Sequence, residues 1–355
     1  MKKLSYLFGA AAIAIAMVMG SCAKIDNPAE PEVPQPKIHD GEDLAAVIAN
    51  AENLEIINGV PTLNLPAGVS LTMNEEIVMD MHINITGDES EPAKIKIGET
   101  GKFVTKSGVN FKNVIIDATD LTAPLVTLGV DEPAEWSFSS LSFINVDITG
   151  LKKALTYAAC KNYDVVSYID NCRIQVAGDV TVFDYTKGSV AFVFSILNST
   201  IWAPEATTKS LYSAQGGQKA IDFFGSDSQM TQQFQLENST FYNLAKGKNF
   251  FTHRQQGQKW EEYIAKDCIF VNCGKSGQTA KGMNQGQGSA NPVWKISGNV
   301  FNFDGEDTSA SEETGDPDEP VKDSKAVVVK FVDAANGDFS QSDAAAGDPR
   351  WIPLM

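Results

Sequence analysis

Seven segments of this 355-residue chain share one six-residue template, and this repeat constrains the fold more than any other feature. Each segment has an apolar or small residue, then Asn, Asp or Gly two positions later, and an apolar last residue. The segments are FKNVII (111–116), FINVDI (143–148), IDNCRI (169–174), ILNSTI (196–201), LENSTF (236–241), AKDCIF (265–270) and ISGNVF (296–301). Their spacing of 26 to 40 residues is typical of a repeated supersecondary unit.

A second apolar segment follows five of the Asn positions after 10 to 13 residues. These segments are LVTLG (125–129), LTYAA (155–159), VFDYT (182–186), LYSAQ (211–215) and FFTHR (250–254). Alternation such as Phe192-Phe194-Ile196 indicates strands. We therefore predict that each repeat is one coil of a solenoid, with parallel pairing between equivalent strands about 4.8 Å apart. Aliphatic and Phe side chains would fill the interior, and stacked Asn amides would hydrogen-bond along the turn.

Two further regions complete a family resemblance. LNLPAGVSL (63–71) and INITGDE (83–89) resemble an opening coil, and FVDAANGDFSQ (331–341) with AAGDPRWI (345–352) resembles a characteristic carboxy terminus. With the repeats, the chain resembles the pectin-lyase-like superfamily, in particular its lipid-anchored members from polysaccharide-utilising Bacteroidota. The resemblance implies an all-β fold, a right-handed single-stranded parallel β-helix, in a polysaccharide-related setting.

The first residues are typical of a bacterial lipoprotein signal. Lys2 and Lys3 precede an apolar run, and Met19-Gly20-Ser21-Cys22 has the order of a lipobox. We predict that residues 1–21 are the signal and that Cys22 carries the lipid, palmitate included, which anchors the chain to a membrane. The alternative is an ordinary cleaved signal with Cys22 inside the mature chain.

The remaining chain divides by composition. Residues 22–39 are Pro-rich and are predicted to form a lipidated tether, residues 40–303 the β-helix, and residues 304–324 an acidic flexible insertion. Residues 325–355 are predicted to form a last strand and tail. A short helix from about 42 to 51, with Asp40 as its N-cap, is expected to cap the first coil.

The cysteines after Cys22 are Cys160, Cys172, Cys268 and Cys273. An exported compartment permits disulfides, so pairing stays open. Cys172 and Cys268, however, fall on inward positions of the repeat, where a thiol behaves as a small hydrophobic group. We favour packing for these two.

The charge balance excludes several function classes. A net charge of −17 argues against nucleic acid as a partner, and three histidines cannot supply a His-rich metal site. No cofactor or metal is predicted. Calcium at the acidic run 304–323 is the one ion left open, although the DGED at the start of that run lacks the graded spacing of a calcium loop.

Catalytic residues cannot be carried over from the family. Its lyases use a calcium-holding carboxylate cluster with an Arg or Lys base, and its hydrolases use several Asp on one face; neither set occurs in a matching context here. The second recurring strands nevertheless present a group of side chains that could meet within one sugar ring. They are Asp184, Tyr185, Tyr212, Gln215, His253 and Arg254.

Each member of this group has a chemical role in that interpretation. Arg254 would bind a uronate carboxylate, His253 or Asp184 would act as acid or base, and a tyrosine would stack on a sugar. The alternative is that Arg254 and Asp184 are solvated and that the tyrosines are packing residues.

Trp202 and Trp260 are the predicted aromatic platforms. Trp202 follows the inward Ile201, and Trp260 lies in the polar stretch RQQGQKWEE. Exposed aromatic rings are the usual contacts for sugar faces. Coverage of both by loops is the alternative.

These observations favour a non-catalytic lipoprotein that binds or handles polysaccharide at the outer membrane, at the cell surface in preference to the periplasmic face. A polysaccharide lyase or glycoside hydrolase acting on a pectin-like glycan is the first alternative. A structural or adhesive surface protein without a sugar ligand is the second.

Overall fold

The computed structural model describes residues 37–129, 137–158, 162–185, 190–214, 232–254, 261–274, 284–287, 293–302, 325–326, 329–341 and 346–352. For 137–138, 162–165, 190, 232, 253–254, 261, 284–287, 293–294 and 325–326 it describes the backbone alone. The chain divides into two compact units, Met1–Lys37 and Ile38–Met355. Of the described residues, Lys37 belongs to the first unit and all the others belong to the second. No helix in the described ranges is long and apolar enough to cross a membrane.

Two sheets contain all the strands of the described chain. The 18 strands of the larger sheet are β1 (Leu54–Ile57), β2 (Val60–Asn64), β3 (Ser70–Met73), β5 (Ile83–Thr86), β6 (Ala93–Ile97), β8 (Gly108–Asp117), β10 (Ser137–Leu151), β12 (Asn162–Asp170), β13 (Arg173–Val176), β15 (Val190–Leu197), β16 (Thr200–Trp202), β18 (Gln232–Glu237), β19 (Thr240–Tyr242), β21 (Glu261–Lys266), β22 (Ile269–Val271), β24 (Val293–Ser297), β25 (Val300–Asn302) and β26 (Lys325–Ala326). The 8 strands of the smaller sheet are β4 (Glu76–Met79), β7 (Lys102–Thr105), β9 (Val126–Leu128), β11 (Thr156–Ala158), β14 (Phe183–Tyr185), β17 (Tyr212–Ala214), β20 (Phe251–Arg254) and β23 (Asn284–Gln287).

Strand pairing follows the repeat. In the smaller sheet the strands lie side by side in chain order, from β4 to β23. Each pairs in parallel with the equivalent strand of the next repeat, and the larger sheet follows the same rule, as in β13–β16 and β16–β19. Among the described strand pairs, one is antiparallel: the hairpin β1–β2. The predicted all-β class and the parallel pairing of equivalent strands are confirmed.

The last template position forms a stacked column in the core. Ile148 pairs with Ile116 on one side and Ile174 on the other, in register. Farther along the chain, Phe270 stacks between Phe241 and Phe301, with ring centroids 5.1 and 5.2 Å apart and rings nearly parallel. Like residues therefore pack on like residues between repeats, which confirms the predicted aliphatic and Phe stacks.

The Asn position of the template is explained by backbone conformation. All seven of these residues have positive φ, between 46° and 65°: Asn113, Asn145, Asn171, Asn198, Asn238, Asp267 and Gly298. Asn, Asp and Gly are the residues that adopt this left-handed conformation most readily. The turn after each strand thus selects this set of residues.

Stacked amides join only part of this column. Asn145 donates from Nδ2 to Asn113 Oδ1 at 2.9 Å, and Asn171 donates to Asn145 Oδ1 at 3.3 Å. Asn198 instead donates to Asp170 Oδ1 at 2.9 Å. The predicted amide stacking is therefore confirmed from Asn113 to Asn171, and the property that all seven positions share is the left-handed turn.

The N-terminal helix is shorter than predicted and has a different cap. α1 spans Leu44–Ala49, and the carboxylate of Asp43 accepts from Ala45 N as its N-cap. Asp40, the predicted cap, instead accepts a hydrogen bond from Ser70 N at 2.8 Å, which ties the entering chain to β3. Leu44 and Val47 are buried, as their spacing predicts.

The described cysteines are free thiols. Cys172 and Cys268 are fully buried, as predicted, and Cys273 is half-buried. Burial raises the pKa of the Cys172 thiol to about 12 and also raises that of Cys268. Both thiols donate to backbone carbonyls, Cys172 to Phe143 O at 3.2 Å. Cys160 lies outside the described residues.

We expect Asn145→Ala to destabilise the fold more than Asn145→Gly. Both variants remove the amide ladder at its centre, a loss of about 1 kcal/mol. Alanine must also adopt the left-handed turn, which costs about 1–2 kcal/mol more, whereas glycine adopts it readily. The free energy of unfolding in urea measures the difference. Equal losses in the two variants would contradict the conformational explanation.

We expect Cys172 and Cys268 to resist alkylation in the folded protein. Because burial removes access and disfavours the thiolate, iodoacetamide at pH 8 should label them only after denaturant is added. Peptide mass spectrometry of the native and denatured full chain gives the labelled fraction at each cysteine. Rapid native labelling of either thiol would contradict its burial.

Candidate functional site

One row of side chains crosses the smaller sheet at the middle position of successive strands. The row consists of Thr127, Tyr157, Asp184, Ser213 and Thr252, and we call it the Tyr157 row. Each member pairs in register with the next. Since parallel strands lie about 4.8 Å apart, neighbouring members present their side chains at that interval.

Strand alternation places this row on the outer face. In β9, β11 and β14 the middle residue is half-buried, while the residues on either side of it are buried in the core. The flanking residues, such as Phe183 and Tyr185, anchor each strand, so the row has a fixed backbone beneath it. Ser213 is the least exposed member, at 9%.

Tyr185 and Tyr212 are core residues, contrary to the predicted role as sugar-stacking rings. Both are fully buried. The Tyr185 hydroxyl lies 2.9 Å from Ser167 Oγ, and the Tyr212 hydroxyl accepts from Ala191 N at 3.2 Å. Each flanks the middle position of its strand, and strand alternation therefore turns it into the core.

The tyrosine on the outer face at this site is the half-buried Tyr157, which the sequence interpretation missed. Tyr157 pairs in register with Asp184. Burial raises the pKa of the Tyr157 hydroxyl, and the negative charge of Asp184 raises it further. The signal was present in the sequence: when the five second strands are aligned on their first apolar residue, the third position is Thr, Tyr, Asp, Ser and Thr.

The other predicted members are placed only in part. The backbone of His253 pairs with Ala214 and Gly286, and that of Arg254 pairs with Gln287. Their side chains lie outside the described part of the chain. Gln215, Trp260 and Cys22 lie outside it altogether. Of the predicted group, Asp184 is the residue whose side chain is placed on the outer face.

Trp202 is buried beneath the C-terminal segment, so its predicted role as an exposed platform is wrong. It follows the inward Ile201 as expected, yet only 3% of its surface is exposed. The ring of Phe339 covers it at 5.7 Å between centroids, and the guanidinium of Arg173 lies 5.6 Å from its ring. A segment more than 100 residues later in the chain thus removes this tryptophan from solvent.

The same C-terminal segment is fixed by a buried polar cluster. Asp348, 1% exposed, accepts from Thr200 Oγ1 at 2.6 Å, and the same hydroxyl accepts from Trp351 Nε1 at 2.8 Å. Arg350 contacts the Asp348 carboxylate and donates to Asn171 Oδ1 at 2.8 Å. Burial raises the pKa of the Asp348 carboxyl, although the charge of Arg350 opposes that shift. This cluster is structural, because its polar groups bond to one another.

The described residues contain no group of three or more His, Cys, Asp or Glu side chains placed to hold a metal ion. The acidic run at 304–323, where calcium was left open, lies outside them.

Comparison with known proteins does not assign a family or a function to this chain. No protein-family model matches the chain, and a search of curated protein sequences finds no significant match.

We expect Asp184→Asn to lower the pKa of Tyr157 while leaving it above the ordinary tyrosine value. The substitution removes the nearby negative charge, but the larger cause, burial, remains. NMR titration of protein with labelled tyrosine rings, with Tyr157→Phe to assign the signal, measures the shift. Glu237→Gln, on the larger sheet, is the matched control and should leave this pKa unchanged. An unaltered Tyr157 pKa in Asp184→Asn would show that the two groups are not neighbours.

Proposed function

We propose that this protein is a non-catalytic, polysaccharide-binding lipoprotein of the bacterial outer membrane, built on a right-handed parallel β-helix like those of the pectin-lyase-like superfamily. Its lipid would be attached at Cys22 and its body held at the cell surface. The lipobox and the Pro-rich tether support this location. Polysaccharide and the membrane are its proposed partners.

The β-helix is supported by the way in which the chain visits the two sheets. Along the sequence, from β4 to β23, one or two strands of the larger sheet separate each strand of the smaller sheet from the next, as β8 separates β7 from β9 and β12–β13 separate β11 from β14. Each return to a sheet adds a parallel neighbour to the strand laid down one repeat before. A coil that winds in one direction produces this order.

The Tyr157 row is the observation that carries the binding proposal. It combines a half-buried aromatic ring, a carboxylate and three hydroxyl side chains along one line. Aromatic rings contact the apolar faces of sugars, while carboxylates and hydroxyls hydrogen-bond their OH groups. The rigid strands beneath would hold these groups in place before the ligand arrives, which reduces the ordering cost of binding.

A lyase or hydrolase that uses Arg254, His253 and Asp184 is the second candidate. Asp184 favours it, since this carboxylate lies on the outer face beside a tyrosine. In that case Arg254→Ala should abolish turnover of the glycan, a result that would replace the non-catalytic proposal.

We expect Tyr157→Ala to weaken glycan binding about tenfold, which corresponds to the loss of about 1.4 kcal/mol of ring contact. Affinity electrophoresis of the full chain in non-ionic detergent, through gels containing hemicellulosic, pectic or host glycans, measures the retardation. Calcium is included in every gel.

Tyr168→Ala is the matched control. Tyr168 is also half-buried and also lies beside a carboxylate, Asp170, but it belongs to the larger sheet. It should leave retardation unchanged. Loss of binding in Tyr168→Ala alone would move the site to that sheet, cleared zones in the gels would favour the enzyme, and no retardation by any glycan would favour the structural or adhesive alternative.

A further inference from the structure

We propose that the ligand of the Tyr157 row is a neutral, extended glycan that lies across the strands with about one sugar on each. This inference rests on the proposed function and adds the class of ligand. Two properties of the row support it, its spacing and its charge.

The spacing of the row fits an extended sugar chain. The five members of the row, from Thr127 to Thr252, occupy five consecutive strands in register. Parallel strands are about 4.8 Å apart, close to the length that one sugar adds to a ribbon-like glycan. Each sugar would therefore meet an equivalent position of the next strand, and contacts would add along the chain as in other multivalent binding.

The chemistry of the row varies from strand to strand, which suits a chain of linked sugars. The Tyr157 ring offers an apolar face for stacking, and the Asp184 carboxylate accepts hydrogen bonds from sugar hydroxyls. Ser213 and Thr252 can each donate and accept. Thr252 already shares a 2.7 Å hydrogen bond with Ser210, so its hydroxyl is oriented.

The charge of the row disfavours polyuronates. Asp184 is the one carboxylate of the row, and no member of the row is a Lys, Arg or His. Lys102, a described cation in the same sheet, is bridged to Glu76 at 2.8 Å. A uronate carboxylate near Asp184 would thus meet a like charge, in a protein whose net charge is already −17. A neutral glycan meets no such repulsion.

The test compares neutral and anionic glycans on the intact protein. The full chain in detergent is run through gels of xylan, mannan, mixed-linkage glucan and polygalacturonate without divalent cations. We expect retardation by at least one neutral glycan and none by polygalacturonate. Titration calorimetry with oligosaccharides of that neutral glycan should show affinity rising up to about five sugars and then levelling off, as the five strands of the row require.

Asp184→Asn separates charge from shape. It should weaken neutral-glycan binding severalfold by removing a charge-assisted hydrogen bond. It should also produce measurable retardation by polygalacturonate, which the wild-type protein lacks, by removing the like charge. Glu237→Gln removes a carboxylate from the larger sheet and should change neither. These opposite shifts distinguish the row from a general effect of net charge.

Three outcomes would overturn the inference. Wild-type retention by polygalacturonate in preference to every neutral glycan, lost in Arg254→Ala, would overturn the neutral class while leaving polysaccharide binding intact. Affinity that is already maximal for a disaccharide would overturn the extended arrangement. Absence of retardation in all gels would refute the proposed function itself, and the inference with it.

Discussion

In-register parallel stacking of equivalent strands is the constraint on which the rest of this structure depends. Because each strand pairs with its counterpart one repeat away, every side-chain position becomes a column that runs through many repeats. A core column holds apolar residues that fit one another, and here it runs Ile on Ile and Phe on Phe with one change, from Ile201 to Phe241. A turn column must hold residues that accept positive φ, hence Asn, Asp and Gly.

Hydrogen bonding across the repeats then links this turn column to the C-terminal segment. Arg350 donates to Asn171, Asn171 to Asn145, Asn145 to Asn113, and Asn113 to the Gly87 carbonyl at 3.3 Å. All four bonds run in the same direction, so each donor polarises the next acceptor. The charged guanidinium lies at the donor end, where it strengthens the series most. The ladder stops at Asn171 because Asn198 bonds to Asp170, and Arg350 occupies the acceptor that Asn198 leaves vacant.

The sequence was sufficient for features that repeat and insufficient for features that occur once. The core columns, the parallel pairing and the buried Cys172 follow from residues that recur at equivalent positions. The burial of Trp202 could not be predicted, because it depends on Phe339, whose contact joins distant parts of the chain. The cap of α1 depends on a distant contact in the same way: Asp40 and Asp43 could both cap the helix, and Asp40 is instead held by the backbone amide of Ser70, 30 residues later.

The candidate site combines a feature that repeats with features that occur once. Its strands recur in every repeat, but the residues at their outer positions differ. Tyr185 and Tyr212 are the residues whose type misleads: a tyrosine suits a sugar-binding face, but the phase of each strand turns these two into the core. The outer column of the smaller sheet differs from the core columns in how strongly packing restricts its residues. A core column changes slowly because each side chain must fit the next, whereas half-exposed neighbours in register need only avoid repulsion. The outer column therefore changes from Thr to Tyr, Asp, Ser and Thr over five strands without loss of packing. Freedom from packing is what allows such a column to match a ligand whose own chemistry changes from one sugar to the next.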